Sequence, residues 1–239
     1  MRKILLTIAV TMMSLTAMAA PVRRGEKKIA IERPDMEQIK SEVNNPSSQY
    51  YYPRLMEMYQ RNDTVMTLPQ YRYLYLGTVF QEDYNPYRHN SADTKLQDLY
   101  QQHNHTRAQL DSIITHAEKA LADDPFDLNQ MSYLIYALEK RGKVNKAAIW
   151  QYRLNHLLEA IVSTGTGVDT DNAWYVINPR HEYNIINFLG NVATGQQYVE
   201  PYFDYITISP QNNANTKTPE GYFFNIKNLL EEYYRKFPE

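Results

Sequence analysis

The amino-acid sequence predicts an α+β fold that is mostly helical, and three observations support it. Apolar residues recur at helical spacing through residues 35–162. Short runs rich in β-branched and aromatic residues follow, between residues 163 and 239. The chain contains no Cys, so disulfides and thiolate metal sites are excluded and packing must stabilise the fold. We therefore expect one domain over residues 35–239, with a helical part (35–162) and a sheet-containing part (163–239).

The N-terminal residues 1–19 have the pattern of a secretory signal peptide. Arg2 and Lys3 precede an apolar run, and Ala17-Met18-Ala19 supplies the small residues that signal peptidase recognises. The run is shorter than the roughly 20 residues of a membrane-spanning helix. We expect an exported protein, periplasmic or secreted, with no membrane span in the mature chain. The absence of Cys excludes a lipoprotein, and the charged, aperiodic residues 20–34 predict a flexible linker.

Local signals predict three short helices at the start of the domain. Asp35 is a helix-capping residue type that precedes Ile39 and Val43, which share one helical face. Pro53 suits the first turn of a second helix, and Thr67-Leu68-Pro69 opens a third. Each helix is expected to bury a narrow apolar stripe.

Three longer helices follow, beginning near Thr106, Leu128 and Val144, and they resemble tetratricopeptide-repeat hairpins. The resemblance covers about one and a half repeat units. Its positions are Ala117, Ala120, Leu121, Pro125, Leu134, Gly142 and Ala147. The resemblance implies helical hairpins that pack side by side.

The second part of the domain predicts a small three-stranded sheet and a C-terminal helix. The strands are expected at residues 173–177, 202–208 and 222–226, where aromatic and β-branched residues cluster. Asn178-Pro179 is a helix-start signal between the first two strands. Residues 228–237 have the apolar spacing of a closing amphipathic helix.

Composition limits the classes of partner. The formal net charge is −2, which provides no electrostatic attraction to nucleic acid. The chain has 21 Tyr but only 7 Phe. Tyrosine combines an apolar ring with a polar hydroxyl, so this excess fits either amphipathic packing or a surface that binds sugars or peptides.

His181 and Glu182 form the strongest catalytic candidate, together with Asp204 on a predicted strand. One interpretation is a general acid/base pair or a partial metal site. The other is structural, with Glu182 at a helix N-terminus and His181 bonded to backbone. The His-Glu-x-x-His pattern of zinc proteases is absent, and the structural interpretation is favoured.

The segment containing Gly165, Gly167, Asp169 and Asp171 predicts a tight turn, with a cation-binding loop as the alternative. A calcium loop needs six or more oxygen ligands, and this segment offers two carboxylates. His103 and His105 would face opposite sides of an extended segment, so they do not predict a metal site by themselves. We expect no metal or other cofactor.

Tyr84, Asn85, Tyr87 and Arg88 form the best candidate for ligand binding. Tyrosine rings stack on sugars, and amide and guanidinium groups bind hydroxyl groups. The same Tyr-Asn-Pro-Tyr sequence also makes a good turn with two packing rings.

The order of several motifs resembles a family of secreted bacterial proteins described as domain of unknown function 4919. The central run reads Ser163-Thr164-Gly165-Thr166-Gly167, then Ala173-Trp174-Tyr175-Val176-Ile177, then His181-Glu182-Tyr183-Asn184-Ile185-Ile186 and Leu189-Gly190. Further matches are Leu74-Tyr75-x-Gly77, Tyr84-Asn85-Pro86-Tyr87, Gln197, Asp204-Tyr205-Ile206 and Tyr222-Phe223-Phe224-Asn225-Ile226. Thr166 departs from the acidic residue expected there. The resemblance implies fold and compartment, and it implies no activity.

The sequence predicts an exported, non-enzymatic binding module of the cell envelope. The Gly-x-Ser-x-Gly nucleophile pattern is absent. The expected partner is a protein, peptide or glycan of the envelope. The alternative is a small hydrolase or metal-dependent enzyme that uses His181, Glu182 and Asp204.

Overall fold

A computed structural model describes residues 29–88, 98–100, 102, 104–210 and 219–238. The predicted signal peptide, and the predicted linker before residue 29, lie outside this part of the chain. The principal helices are α1 (Met36–Asn44), α2 (Tyr52–Gln60), α3 (Leu68–Gly77), α4 (Arg107–Asp123), α5 (Leu128–Lys140), α6 (Val144–Val162), α7 (Arg180–Phe188) and α8 (Lys227–Lys236). A short 3-10 turn, Thr78–Phe80, follows α3. The α+β class is confirmed.

Side-chain caps fix where several helices begin. Asp35 accepts a hydrogen bond from the Gln38 backbone N–H over 3.0 Å at the start of α1. Thr67 and Thr106 each form a reciprocal capping box, with Gln70 and Gln109 respectively. These contacts satisfy backbone N–H groups that have no partner inside the helix.

The helical part packs in chain order, α4 against α5 and α5 against α6, while α3 lies against α6. Its core is apolar and closed to solvent, as Leu134 and Leu138 of α5 show at 0% exposure. The same core continues into the sheet through Ile206 and Phe224. The two predicted parts therefore share one hydrophobic core.

The sheet has four strands rather than the predicted three. They are β1 (Trp174–Tyr175), β2 (Asn191–Val199), β3 (Phe203–Pro210) and β4 (Gly221–Asn225), in the order β1-β4-β3-β2. β1 pairs with β4 in parallel, and the other pairs are antiparallel. β2 was not predicted because its sequence is polar and contains Gly195. It forms by pairing along β3.

The glycine segment between α6 and β1 is a tight turn. A Cβ atom on Gly165 would lie 2.2 Å from the Asn172 carbonyl oxygen, and Gly167 has φ +70°. Trp174 donates a hydrogen bond from Nε1 to the Gly165 carbonyl over 3.0 Å. Asp169 accepts from the Asn172 backbone N–H over 2.8 Å. The turn thus directs the chain from the helical part into the sheet.

The described end of the predicted linker contacts the domain. The Glu32 backbone N–H donates to the Ser163 carbonyl over 2.9 Å. The Glu32 carboxylate also pairs with Arg72 of α3, whose Nε donates to the Ser163 hydroxyl over 3.1 Å. Within the described ranges, no helix combines the length and apolar character needed to cross a membrane.

Candidate functional site

A cavity of about 300 Å³ lies where α2, the end of α4 and the segment before α7 meet. Its lining is polar and aromatic in character. The residues include Tyr52, Gln60, Gln81, Asp83, Tyr84, Asn85, Arg88, Asp123, Asp124, Phe126, Asn178 and His181. Both parts of the domain contribute, so the cavity depends on the tertiary fold.

Three of the four predicted ligand-binding residues, Tyr84, Asn85 and Arg88, line this cavity. Arg88 donates to the carbonyl oxygens of Asp83 and Asp123, each over 2.8 Å. These bonds join the loop to the end of α4. The loop is therefore held in place on one wall of the cavity.

Tyr84 is both a packing residue and a wall of the cavity. Its side chain is 6% exposed, and its hydroxyl donates to the Ile177 carbonyl over 2.6 Å. Burial raises its pKa above the usual tyrosine value. On the same cavity, burial raises the pKa of Tyr52 to about 12. Both phenols are neutral hydrogen-bonding groups at physiological pH.

The fourth predicted residue, Tyr87, is not among the residues that line the cavity. It is 42% exposed, and its ring meets Tyr233 of α8 edge-on with 5.1 Å between centroids. The alternating directions of the turn residues thus separate the two tyrosines of the Tyr-Asn-Pro-Tyr sequence.

His181 is a buried side chain on the cavity wall. Its Nδ1 lies 2.7 Å from the hydroxyl of Tyr75, which in turn accepts from the Ile177 backbone N–H over 3.2 Å. Phe126 lies on the same cavity wall. Burial, followed by the nearby Arg180 charge, lowers the pKa of His181 to about 3. His181 is therefore neutral at physiological pH.

Glu182 points to a different place, where it meets Asp204 of β3. Glu182 is 0% exposed and Asp204 is 7% exposed. Burial, then the charge and hydrogen bond of Asp204, raises the pKa of Glu182 well above its usual range. Burial also raises the pKa of Asp204. The structure brings Glu182 and Asp204 together, but it places His181 against Tyr75 instead.

A polar chain continues from this carboxyl pair to the surface. Gln196 of β2 donates from Nε2 to Asp204 over 3.0 Å. Its Oε1 accepts from the hydroxyl of Tyr183 on α7 over 2.9 Å. The sequence analysis missed Gln196 because β2 was not predicted.

The other metal-site candidates are placed as follows. Asp169 caps the glycine turn, and among the described residues no group of three or more His, Asp or Glu side chains could hold a metal ion. His105 lies 2.7 Å from the Leu99 carbonyl and 3.0 Å from the Tyr136 hydroxyl. His103 lies outside the described residues.

Sequence reasoning also missed Tyr52, Asp124 and Asn178 as cavity residues. Tyr52 begins α2 and Asp124 directly follows α4, and the sequence analysis assigned a role to neither. Asn178 was recognised as a capping residue, and its Oδ1 does accept from the Arg180 backbone N–H over 2.9 Å. The signal that the sequence offered for all three residues was their position at or near the end of a helix. Side chains from different elements come together at such positions.

Comparison with known proteins found a family that matches this chain. The sequence pattern of a family described as a domain of unknown function (DUF4919) matches residues 37–235. No curated protein and no solved structure matches the chain. Because the match spans most of the sequence and includes the cavity and the carboxyl pair, the chain belongs to the DUF4919 family.

Proposed function

We propose that this protein is an exported, non-enzymatic binding module whose cavity holds a small saccharide. The observation that carries the proposal is that Tyr84, Asn85 and Arg88 meet Asn178 and other polar residues around one cavity of about 300 Å³. The sequence alone left sugar stacking at this loop as one of two interpretations, the other being a turn with two packing rings. The fold supplies a concave space of about 300 Å³ beside this loop.

The size and lining of the cavity suit a mono- or disaccharide. Ligand pockets begin at about 300 Å³, which is at the lower end for small molecules. Tyr52 offers an aromatic ring, while Asn85, Asp83 and Arg88 offer acceptors and donors for hydroxyl groups. A sugar presents both an apolar face and a ring of hydroxyls, so it matches this mixture.

The proposed compartment follows from the N-terminal signal pattern. The proposed ligand is accordingly a saccharide that is present in the cell envelope. Mass spectrometry of the protein from envelope fractions should find a mature chain that begins at Ala20. A cytosolic protein that retains Met1 would contradict export.

The alternative, a hydrolase that uses His181, Glu182 and Asp204, has weaker support. Glu182 is fully buried, and it is not among the residues that line the cavity. The Nδ1 atom of His181 already has a hydrogen-bond partner in the Tyr75 hydroxyl. A general acid must reach the atom that it protonates, and Glu182 has no exposed surface from which to do so.

Calorimetric titration of the protein with a panel of mono- and disaccharides tests the proposal. The key variant is Ala122→Trp, because Ala122 is exposed and lines the cavity. An indole there should obstruct the cavity while leaving the Arg88 and Tyr84 contacts intact. We expect at least about a tenfold loss of affinity, or about 1.4 kcal/mol.

Ala148→Trp is the matched control, since Ala148 is exposed on α6 and is not among the cavity residues. It should bind like the unmodified protein. If both variants bound the saccharide with equal affinity, the saccharide would bind elsewhere on the protein. That result would contradict the proposed binding site in the cavity. Binding of peptides but of no saccharide in the panel would contradict the ligand class.

A further inference from the structure

Three elements meet at the carboxyl pair on the side of α7 that carries Glu182. Glu182 comes from the first turn of α7, and Asp204 comes from β3. Gln196 of β2 joins them, through Asp204 on one side and Tyr183 of α7 on the other. The β2–β3 hairpin is thus connected to α7 through a short polar chain.

Glu182 lacks an ordinary partner at this junction. Both of its carboxylate oxygens are buried, and neither has an N–H or O–H donor among the described residues. A buried carboxylate without a donor or a cation is strongly destabilised. Among the described residues, the two Glu182 oxygens lie without a donor beside the carboxyl group of Asp204, so a stable contact between the two carboxyl groups requires a shared proton.

We propose that the Glu182–Asp204 pair is a proton-operated latch. The β2–β3 hairpin stays docked on α7 while the pair shares one proton, and it loosens when both carboxyl groups are ionised. The latch is independent of ligand binding in the cavity. It would make the sheet edge responsive to the pH outside the cytoplasm.

Within the described part of the chain, no Lys or Arg is among the groups that shift the pKa values of the pair. The charge of Glu182 acts on the phenols of Tyr75, Tyr87 and Tyr183, and the charge of Asp204 acts on those of Tyr87, Tyr183 and Tyr198. Burial is the largest cause of the raised pKa in Tyr87, Tyr183 and Tyr198, and the charge of Asp204 adds to it, so these phenols stay neutral while the pair titrates. Arg180 lies 3.6 Å from the carboxylate of Asp127 instead.

The sign of the effect follows from linkage. A carboxyl group whose pKa is raised by folding binds its proton more tightly in the folded state. Its contribution to stability is present at low pH and is lost as pH rises from the usual carboxyl range through the raised pKa. Ionisation of both groups then sets two like charges against each other in a buried contact.

Hydrogen exchange of the full-length protein at a series of pH values tests the latch. Protection factors, corrected for the intrinsic pH dependence of exchange, should fall in β2 and β3 as pH rises, while those of α5 stay higher. The fall can reach about tenfold per pH unit, the limit for release of one proton. Uniform protection of the hairpin at all pH values would overturn the proposal.

Glu182→Gln is the decisive variant because the amide can donate to Asp204 without titrating. Its hairpin should lose the pH dependence. Glu200→Gln, at the exposed turn between β2 and β3, is the matched control and should retain it. A Glu182→Gln protein with the same fall in protection as the unmodified chain would overturn the latch.

A measurement on the unmodified chain tests the proposal even if the Glu182→Gln variant fails to fold. Carbon-13 spectra of the side-chain carboxyl groups should show the pair releasing its two protons in widely separated steps. Simultaneous ionisation of both groups near the ordinary carboxyl value would rule out a shared proton.

Discussion

His181 and Glu182 are neighbours in the chain and nearly equally buried, yet their surroundings are opposite. His181 is 3% exposed and Glu182 is 0% exposed. His181 meets Tyr75, whereas Glu182 meets another acid, Asp204. Adjacent residues on a helix point about 100° apart, so α7 presents one to the cavity and the other to the sheet. Burial is the largest cause of both pKa shifts, and it lowers the pKa of the base His181 and raises that of the acid Glu182 because it disfavours the charged form of each.

The two neighbours also make stability depend on pH in opposite directions. Folding lowers the pKa of His181 to about 3. Its contribution is therefore complete above the ordinary histidine pKa of about 6.5 and is lost as pH falls toward the folded value. Folding raises the pKa of Glu182, so its contribution is lost as pH rises. Considering these two groups alone, the free energy of unfolding should be highest between the ordinary glutamate pKa of about 4.3 and the ordinary histidine pKa of about 6.5.

The largest expected effect comes from Tyr75→Phe on the His181 side. The change removes a hydroxyl that accepts from the Ile177 N–H and lies 2.7 Å from His181 Nδ1. Two buried polar groups lose their partner, so the free energy of unfolding should fall by about 3 kcal/mol. Urea denaturation measures this change.

Tyr71→Phe is the matched control, because Tyr71 is also a buried tyrosine of α3, at 1% exposure. Its loss of stability should stay within about 1 kcal/mol. If the two variants were equally stable, the hydrogen bonds of His181 would contribute nothing specific.

A smaller effect is expected from Gln196→Ala on the Glu182 side. The change removes the link between Tyr183 and Asp204, but Gln196 is exposed and water can replace its bonds. We expect a loss of about 1 kcal/mol or less in the free energy of unfolding. Thermal denaturation should compare Gln196→Ala with Gln197→Ala, since Gln197 is an exposed neighbour on the other face of β2. The difference in stability between the two variants measures the contribution of the link between Tyr183 and Asp204. A Gln197→Ala variant that is the less stable of the two would contradict the proposed connection.

Local signals in the sequence predicted most helix starts. Asp35, Thr67 and Thr106 act as caps because their side chains bond to backbone N–H groups two or three residues ahead. Such contacts are short in sequence, so they can be recognised without a fold. The α+β class followed from the same local patterns.

The site itself was only partly predictable. Tyr84, Asn85 and Arg88 could be selected because they are adjacent in sequence, but their meeting with Asn178 and His181 depends on tertiary packing. The same holds for β2, whose polar sequence forms a strand only along β3. The direction of Glu182 and its contact with Asp204 were one of two open interpretations, since helical spacing alone does not place a distant strand.

A single NMR titration that follows His181 and Glu182 together tests the contrast between the two sides of α7 most directly. The imidazole of His181 should remain neutral down to about pH 5, because burial lowers its pKa to about 3. In the same sample, Glu182 should keep its proton at a pH where an ordinary glutamate, with a pKa of about 4.3, is already ionised. A His181 that becomes charged near its ordinary pKa, or a Glu182 that is ionised at that pH, would contradict the account.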